Sequence, residues 1–396
     1  MFFRLFYIMF VVSAILLGSI HVGSFTYRQI FAVLMFLFCL NKTGGLGKDR
    51  SWVAYVIFIF FFGLTSLLSG NLTQYVKTAI GFYFVAYVTC CSTCLVVRKY
   101  GFPVFCHTLM GMGLVNALVT IFVAVGSPWA IGVARFFTPL QAEAIEDSFA
   151  EGDLVTFSIM GIVEATTNGF LIMISVCLSF IYIVKYRTIF KWLPFLLCLV
   201  ASFVCQQRAS FAFVVIFSVF FLIRYFSTLS IKYKVLLALM LVFVSIYIVP
   251  FFIEFSEVND MRYSAYGLDS TGRNKIYDDA LTYMSTHMFS ANIFDFRNVY
   301  HHSPHQLFYN MFIYGGVGGF IAIAFTVFLH MKLAMRYIIQ KIDDNSVALF
   351  ATSGAMLGFF VISLSHNTSI VSGSELYWML WGALISHRCY TNGMRV

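Results

Sequence analysis

Charge is scarce in this sequence. Of its 396 residues only 11% are Asp, Glu, Lys or Arg, whereas 60% are hydrophobic and the mean hydropathy is +0.87. No water-soluble domain buries that much apolar material, so a soluble globular fold is excluded. Cysteine is missing from both long polar stretches, residues 127–153 and 254–304, and most of the nine cysteines lie inside apolar runs. That pattern excludes a disulfide framework and offers no zinc spacing. A phosphate-binding Walker loop, a dinucleotide fingerprint and a Ser-centred nucleophile elbow are all missing. A sugar-nucleotide donor held by a metal-binding acidic pair is not supported, since such donors are cytoplasmic and the suspected site is on the other face. Low-complexity tracts, a soluble domain and internal repeats are also absent. The net charge of +8 is dispersed over short loops and does not indicate nucleic acid.

What the sequence does have is apolar runs of roughly 18 residues or more along its whole length. They predict an all-α, polytopic fold, one integral membrane domain over residues 1–396 with about twelve transmembrane helices. The spans are expected near 5–22, 25–40, 51–69, 74–96, 102–126, 159–184, 190–206, 209–228, 233–253, 305–330, 346–366 and 370–387. The first run lacks a convincing small-residue cleavage site and reads as a span rather than a signal peptide. One set of loops and ends holds 17 of the 25 basic residues against three acids, Asp49, Asp343 and Asp344. By the positive-inside rule that face is cytoplasmic and both termini lie there. The long loops 127–153 and 254–304 then share the opposite face, where function is expected.

Arg28, Lys77, Glu164, Arg208 and Glu375 fall within or at the ends of apolar spans, each toward the outer end. Charges at that depth face a polar chamber or snorkel to the interface, and both readings stay open for Arg28 and Lys77. Arg208 stands in a tight polar turn, Cys205-Gln206-Gln207-Arg208-Ala209-Ser210. A rigidly held guanidinium there suits phosphate, or anchors the interface. Ser270-Thr271-Gly272-Arg273, followed by Ile276, Ala280 and Leu281, predicts a capped amphipathic helix in the second outer loop. Arg273 in its first turn opposes the helix dipole, which fits aim at an anion or an ion pair with Asp278 or Asp279.

The third constellation is His301-His302-Ser303-Pro304-His305-Gln306, ahead of a span expected to run as one helix to about His330. Pro304 suits the first turn of that helix. It also breaks regular spacing among the three histidines, so no metal is expected. Gly315, Gly316, Gly318 and Gly319 would let neighbouring helices approach closely. His305 is the candidate general base, because imidazole titrates near physiological pH. His302 and Tyr309 flank it as further candidates for the chamber wall, with Arg28, Lys77 and Glu164.

Together these residues resemble the O-antigen polymerase and O-antigen ligase superfamily of bacterial envelope glycosyltransferases. The resemblance rests on His305-Gln306 with Gly316-Val317-Gly318-Gly319 after a nine-residue gap, on Gly272-Arg273 with Ile276-Tyr277 and Ala280-Leu281, and on Arg208 at an outer turn. It covers roughly residues 200–320 by motif. The resemblance implies a GT-C-like membrane fold in the inner membrane, with short helices in the large periplasmic loop and a periplasmic active site. It implies a donor glycan on undecaprenyl diphosphate, a sugar-hydroxyl acceptor, and no metal or other cofactor. His305 would accept the acceptor's proton, and Arg208 and Arg273 would hold the diphosphate. The two sizeable outer loops look more like a polymerase than a ligase, which would transfer the finished chain to lipid A-core. The acidic first loop is a candidate contact for the glycan or a chain-length regulator. A lipid-linked glycan transporter is the rival from another class.

Overall fold

The computed structural model describes residues 2–17, 20–22, 25–40, 49–150, 159–186, 188–205, 207–226, 234–235, 273–304, 306–364, 370–372 and 374–391. It is helical apart from a two-residue antiparallel pair, in which His21 faces Thr26 and Val22 faces Phe25. The chain opens with α1 (Phe2–Leu16), α2 (Tyr27–Cys39), α3 (Arg50–Leu68) and α4 (Leu72–Thr78). A π-helical turn, Ala79–Tyr83, joins α4 to α5 (Phe84–Tyr100) in one unbroken rod. Next come α6 (Phe102–Ala124), the short α7 (Pro128–Phe137) and α8 (Pro139–Ala150), then α9 (Ala165–Tyr186), α10 (Leu193–Val204) and α11 (Arg208–Phe226). The last third holds α12 (Arg273–Thr286), α13 (Ile293–Tyr300), α14 (Leu307–Ile313), α15 (Gly316–Ile339), α16 (Val347–Ser363) and α17 (Glu375–Thr391).

Among the described residues five helical runs are long and apolar enough to cross a membrane: α3, the α4–α5 rod, α6, α9 and α15. Shorter apolar helices accompany them, α1, α2, α10, α11 and α16 among them. Many large apolar side chains lie on the outside of the bundle. Phe60, Ile216, Ile321 and Phe328 are each more than half exposed. A surface of that kind is compatible with a multi-pass membrane protein and costly in water. The span expected near 233–253 lies outside the described residues except for 234–235.

Two expected spans are corrected. The run expected to be helical from residue 159 is irregular up to Glu164, although Ile159, Met160, Ile162 and Val163 are buried. Buried side-chain amides satisfy its backbone: Ile162 N–H donates to Asn116 Oδ1 at 3.0 Å, and Asn168 Nδ2 donates to the Ile159 carbonyl at 2.7 Å. Non-helical backbone is tolerated at membrane depth when protein groups replace water in this way. The run expected as one helix over 305–330 is two helices, α14 and α15, broken at Gly315–Gly316.

The antiparallel pair α3 and α15 carries the later outer segment. Thr65 Oγ1 donates to the Tyr314 carbonyl at 3.4 Å, and Thr326 Oγ1 to the Ser51 carbonyl at 3.3 Å, which sets their register. Of the glycines expected to allow close approach, Gly315, Gly318 and Gly319 lie on this seam, whereas Gly316 faces Met288 and Phe289. The Phe61 ring fills the place a side chain at Gly318 would need, 2.5 Å from an ideal Cβ. Deeper in, His330 is buried, stacked on Trp381 at 3.7 Å between ring centroids and hydrogen-bonded to Tyr377.

Candidate active site

The segment from α12 to α14 folds back on itself through a few polar ties. α12 forms where the Gly-Arg stretch predicted a helix, with Ala280 and Tyr283 on its buried side. Leu281, expected on the same apolar face, is half exposed instead, because Tyr283 takes the inward position. The Tyr283 hydroxyl accepts from the Asn292 N–H at 3.1 Å and lies 3.0 Å from Asp295 Oδ2, to which it donates. Burial raises the Tyr283 phenol above its ordinary pKa, and the Asp295 carboxylate adds to the shift. Asn292 caps α13 by accepting from the Phe294 N–H at 2.9 Å, while its Nδ2 donates to Ser66 Oγ at 2.8 Å. The outer segment is thereby tied to the end of α3.

His301 ends α13 in the left-handed conformation, φ +60°, with its N–H on the Arg297 carbonyl at 2.9 Å. That reversal sends His302 back toward α12. His302 Nε2 meets Asp279 Oδ2 at 2.9 Å, and the ring edge packs on Phe296. Nδ1 of His302 is enclosed and has no hydrogen-bond partner among the described residues. One nitrogen is engaged and the other enclosed, so the pair ties α12 to residues 301–306 rather than presenting a free base. Arg297 Nε donates to Ser303 Oγ at 2.8 Å on the exposed side.

Pro304 does not start the next helix as expected. It precedes Gln306, whose side chain caps α14 by accepting from the Tyr309 N–H at 2.9 Å. Asn310 Nδ2 donates to the Pro304 carbonyl at 2.9 Å, so the lead-in is bonded to the helix it precedes. Tyr309 packs edge-on against Tyr277 of α12, 5.5 Å between ring centroids. Below α14 the Val317 N–H turns away from its own helix and donates to the Met288 carbonyl at 3.0 Å.

The other candidates distribute as follows. His305 lies outside the described residues, as do the side chains of Arg208 and Arg273; the backbones of these two arginines begin α11 and α12. The arginine turn leans on α9, with Ser210 Oγ donating to the Gly169 carbonyl at 2.8 Å. Arg28 sits in the first turn of α2, set by a capping box between Thr26 and Gln29. Its Nη1 lies 2.6 Å from Glu375 Oε1 in the first turn of α17, and the guanidinium lies over Phe82 at 4.8 Å. Lys77 and Glu164 are exposed, and among the described residues neither joins the Arg28–Glu375 pair. The structure thus brings together the His segment and α12, and separately Arg28 and Glu375. Sequence reasoning missed Asp279 as the partner of His302 and Asn292 as the link to α3. An Asp on the inner side of α12 and an Asn opening α13 were visible, but their partners were not.

No protein-family model matches the chain, and no curated protein matches it either.

Proposed function

We propose that this chain is a metal-independent glycosyltransferase of the bacterial inner membrane, an O-antigen polymerase that uses a glycan carried on undecaprenyl diphosphate. In this reading it crosses the membrane about twelve times in a GT-C-like arrangement, with both termini cytoplasmic. The periplasmic loops 127–153 and 254–304 carry the reaction.

One observation supports it most. The helix begun by Arg273 and the segment holding His305 are docked on each other through Asp279–His302 and Tyr277–Tyr309. A cation for the diphosphate and a base for the acceptor hydroxyl need that proximity. His305 takes the acceptor's proton as its oxygen attacks the donor's anomeric carbon. Arg208 and Arg273 offset the charge on the departing undecaprenyl diphosphate. Asp279 and His302 hold the segment and do not touch the sugar. The diphosphate is a good leaving group, so orientation and two cations suffice.

The test is the lipopolysaccharide gel of a strain lacking this protein. A polymerase null should show lipid A-core carrying a single repeat unit. Bare core, with long chains held on the lipid carrier, would replace the polymerase assignment with ligase. Unaltered lipopolysaccharide would remove both.

A further inference from the structure

An open groove of about 550 Å³ runs down the exposed side of the α3–α15 seam. Ala54 and Ala322 are buried at its floor, and Ile57 and Ile321 are exposed at its rims. Among the described residues its lining is apolar with one exception, Arg50, the first residue of α3. The helix register sets the groove's direction. Ser51 lies beside Thr326, so Arg50 marks one end, and Phe61 with Gly318 marks the other.

We propose that this groove binds one acyl chain of an anionic phospholipid, with the lipid phosphate at Arg50. Length is the first argument. From Arg50 to Phe61 the helix rises about 16 Å. One leaflet of a bilayer core is about 15 Å deep. A single acyl chain therefore fills the groove while its headgroup reaches Arg50. Charge is the second. Arg50 opens α3, where unsatisfied N–H groups and the helix dipole already favour an anion. The neighbouring Asp49 carboxylate is engaged by the Ser51 hydroxyl and is not part of the groove. Polarity is the third. The only charged lining residue among the described residues stands at the end away from α14 and the His segment. A prenyl tail whose diphosphate lay at that segment would leave Arg50 unused. With the sidedness proposed above, on which the choice of leaflet rests, the headgroup belongs to the cytoplasmic leaflet.

The bound chain would fill the groove along the helix pair whose outer ends carry Asn292, Tyr314 and the glycine break, making the lipid part of the scaffold beneath the outer segment. Native mass spectrometry of the delipidated full-length protein tests this. The protein is incubated separately with phosphatidylglycerol, phosphatidylcholine and undecaprenyl phosphate. One phosphatidylglycerol should be retained in preference to phosphatidylcholine. Arg50→Gln should reduce its retention about fivefold, the factor expected for one basic residue facing an anionic lipid. Ile321→Trp fills the groove from an exposed rim and should abolish retention, with an unchanged circular dichroism spectrum confirming its fold. Ile216→Trp, on an exposed face elsewhere, should retain lipid as the unsubstituted chain does. Equal retention in Ile321→Trp would overturn the site. Displacement of phosphatidylglycerol by undecaprenyl phosphate would overturn the occupant. Neither readout involves glycosyl transfer, so failure here is separable from failure of the enzymatic reading.

Discussion

Arg28 and Glu375 are 347 positions apart and meet in a 2.6 Å ion pair with about 15% of each side chain exposed. Each opens a helix. A glutamate in the first turn of α17 suits the dipole, whereas an arginine in the first turn of α2 opposes it. The arginine is held there by its acid and by the face of Phe82. Removing either partner leaves the other charge poorly solvated in an apolar bundle. Arg28→Gln and Glu375→Gln should each cost about 3 kcal/mol, the low end for a buried pair because both are slightly exposed. The double variant should cost less than the sum. Thermal unfolding of the four proteins in one detergent measures the coupling as a double-mutant cycle. Strictly additive losses would show that the two residues act independently.

The break between α14 and α15 is the element on which the outer segment rests. Gly316 adopts φ +60°, and a Cβ there would lie 2.9 Å from the carbonyl oxygens of Met288 and Phe289. A single alanine would carry about 1–2 kcal/mol of left-handed strain before any clash is counted. Gly316→Ala should therefore lower the melting temperature and loosen residues 287–292 in hydrogen exchange. Gly111→Ala, with open space around its Cβ, should be neutral or mildly stabilising. Equal behaviour of the two would mean that the glycine break does not hold the loop. The sequence made this element only partly readable. Periodicity gave α12, whose expected capping residues 270–272 lie outside the described residues, and an apolar run gave α6 to within a few residues, because both signals are local. The break was invisible because uninterrupted apolar residues fit one helix as well as two. The irregular stretch at 159–164 was hidden for the same reason: Asn116 and Asn168, distant in sequence, make its backbone tolerable. Likewise Asp279 and Glu375 declared their charge but not the partners that the fold brings to them.

At the scale of the whole molecule, sidedness decides whether the outer loops can share one reaction. The positive-inside rule leads to the expectation that residues 127–153 and 254–304 share one face. The described helices between the two loops are α9, α10 and α11; α9 alone of these is long and apolar enough to cross a membrane, and the proposed topology counts all three as spans, an odd number. On that count same-sidedness requires a further crossing within residues 227–272, which the proposed topology assigns to the apolar run expected near 233–253, outside the described residues except for 234–235. Cysteine labelling tests this directly. The eight described cysteines are all buried, so a Cys389→Ser background should give little signal. Asp147, Met288 and Asn345 are exposed. In cells whose outer membrane alone is permeabilised, Asp147→Cys and Met288→Cys should both react with a membrane-impermeant maleimide. Asn345→Cys, one passage of α15 away from Met288, should react only after the inner membrane is opened. Opposite labelling of Asp147→Cys and Met288→Cys would remove the crossing near 233–253 and part the two loops across the bilayer. The α12–α14 segment could then not meet the acidic first loop over one glycan, and the polymerase reading would lose the paired outer loops that favour it over a ligase.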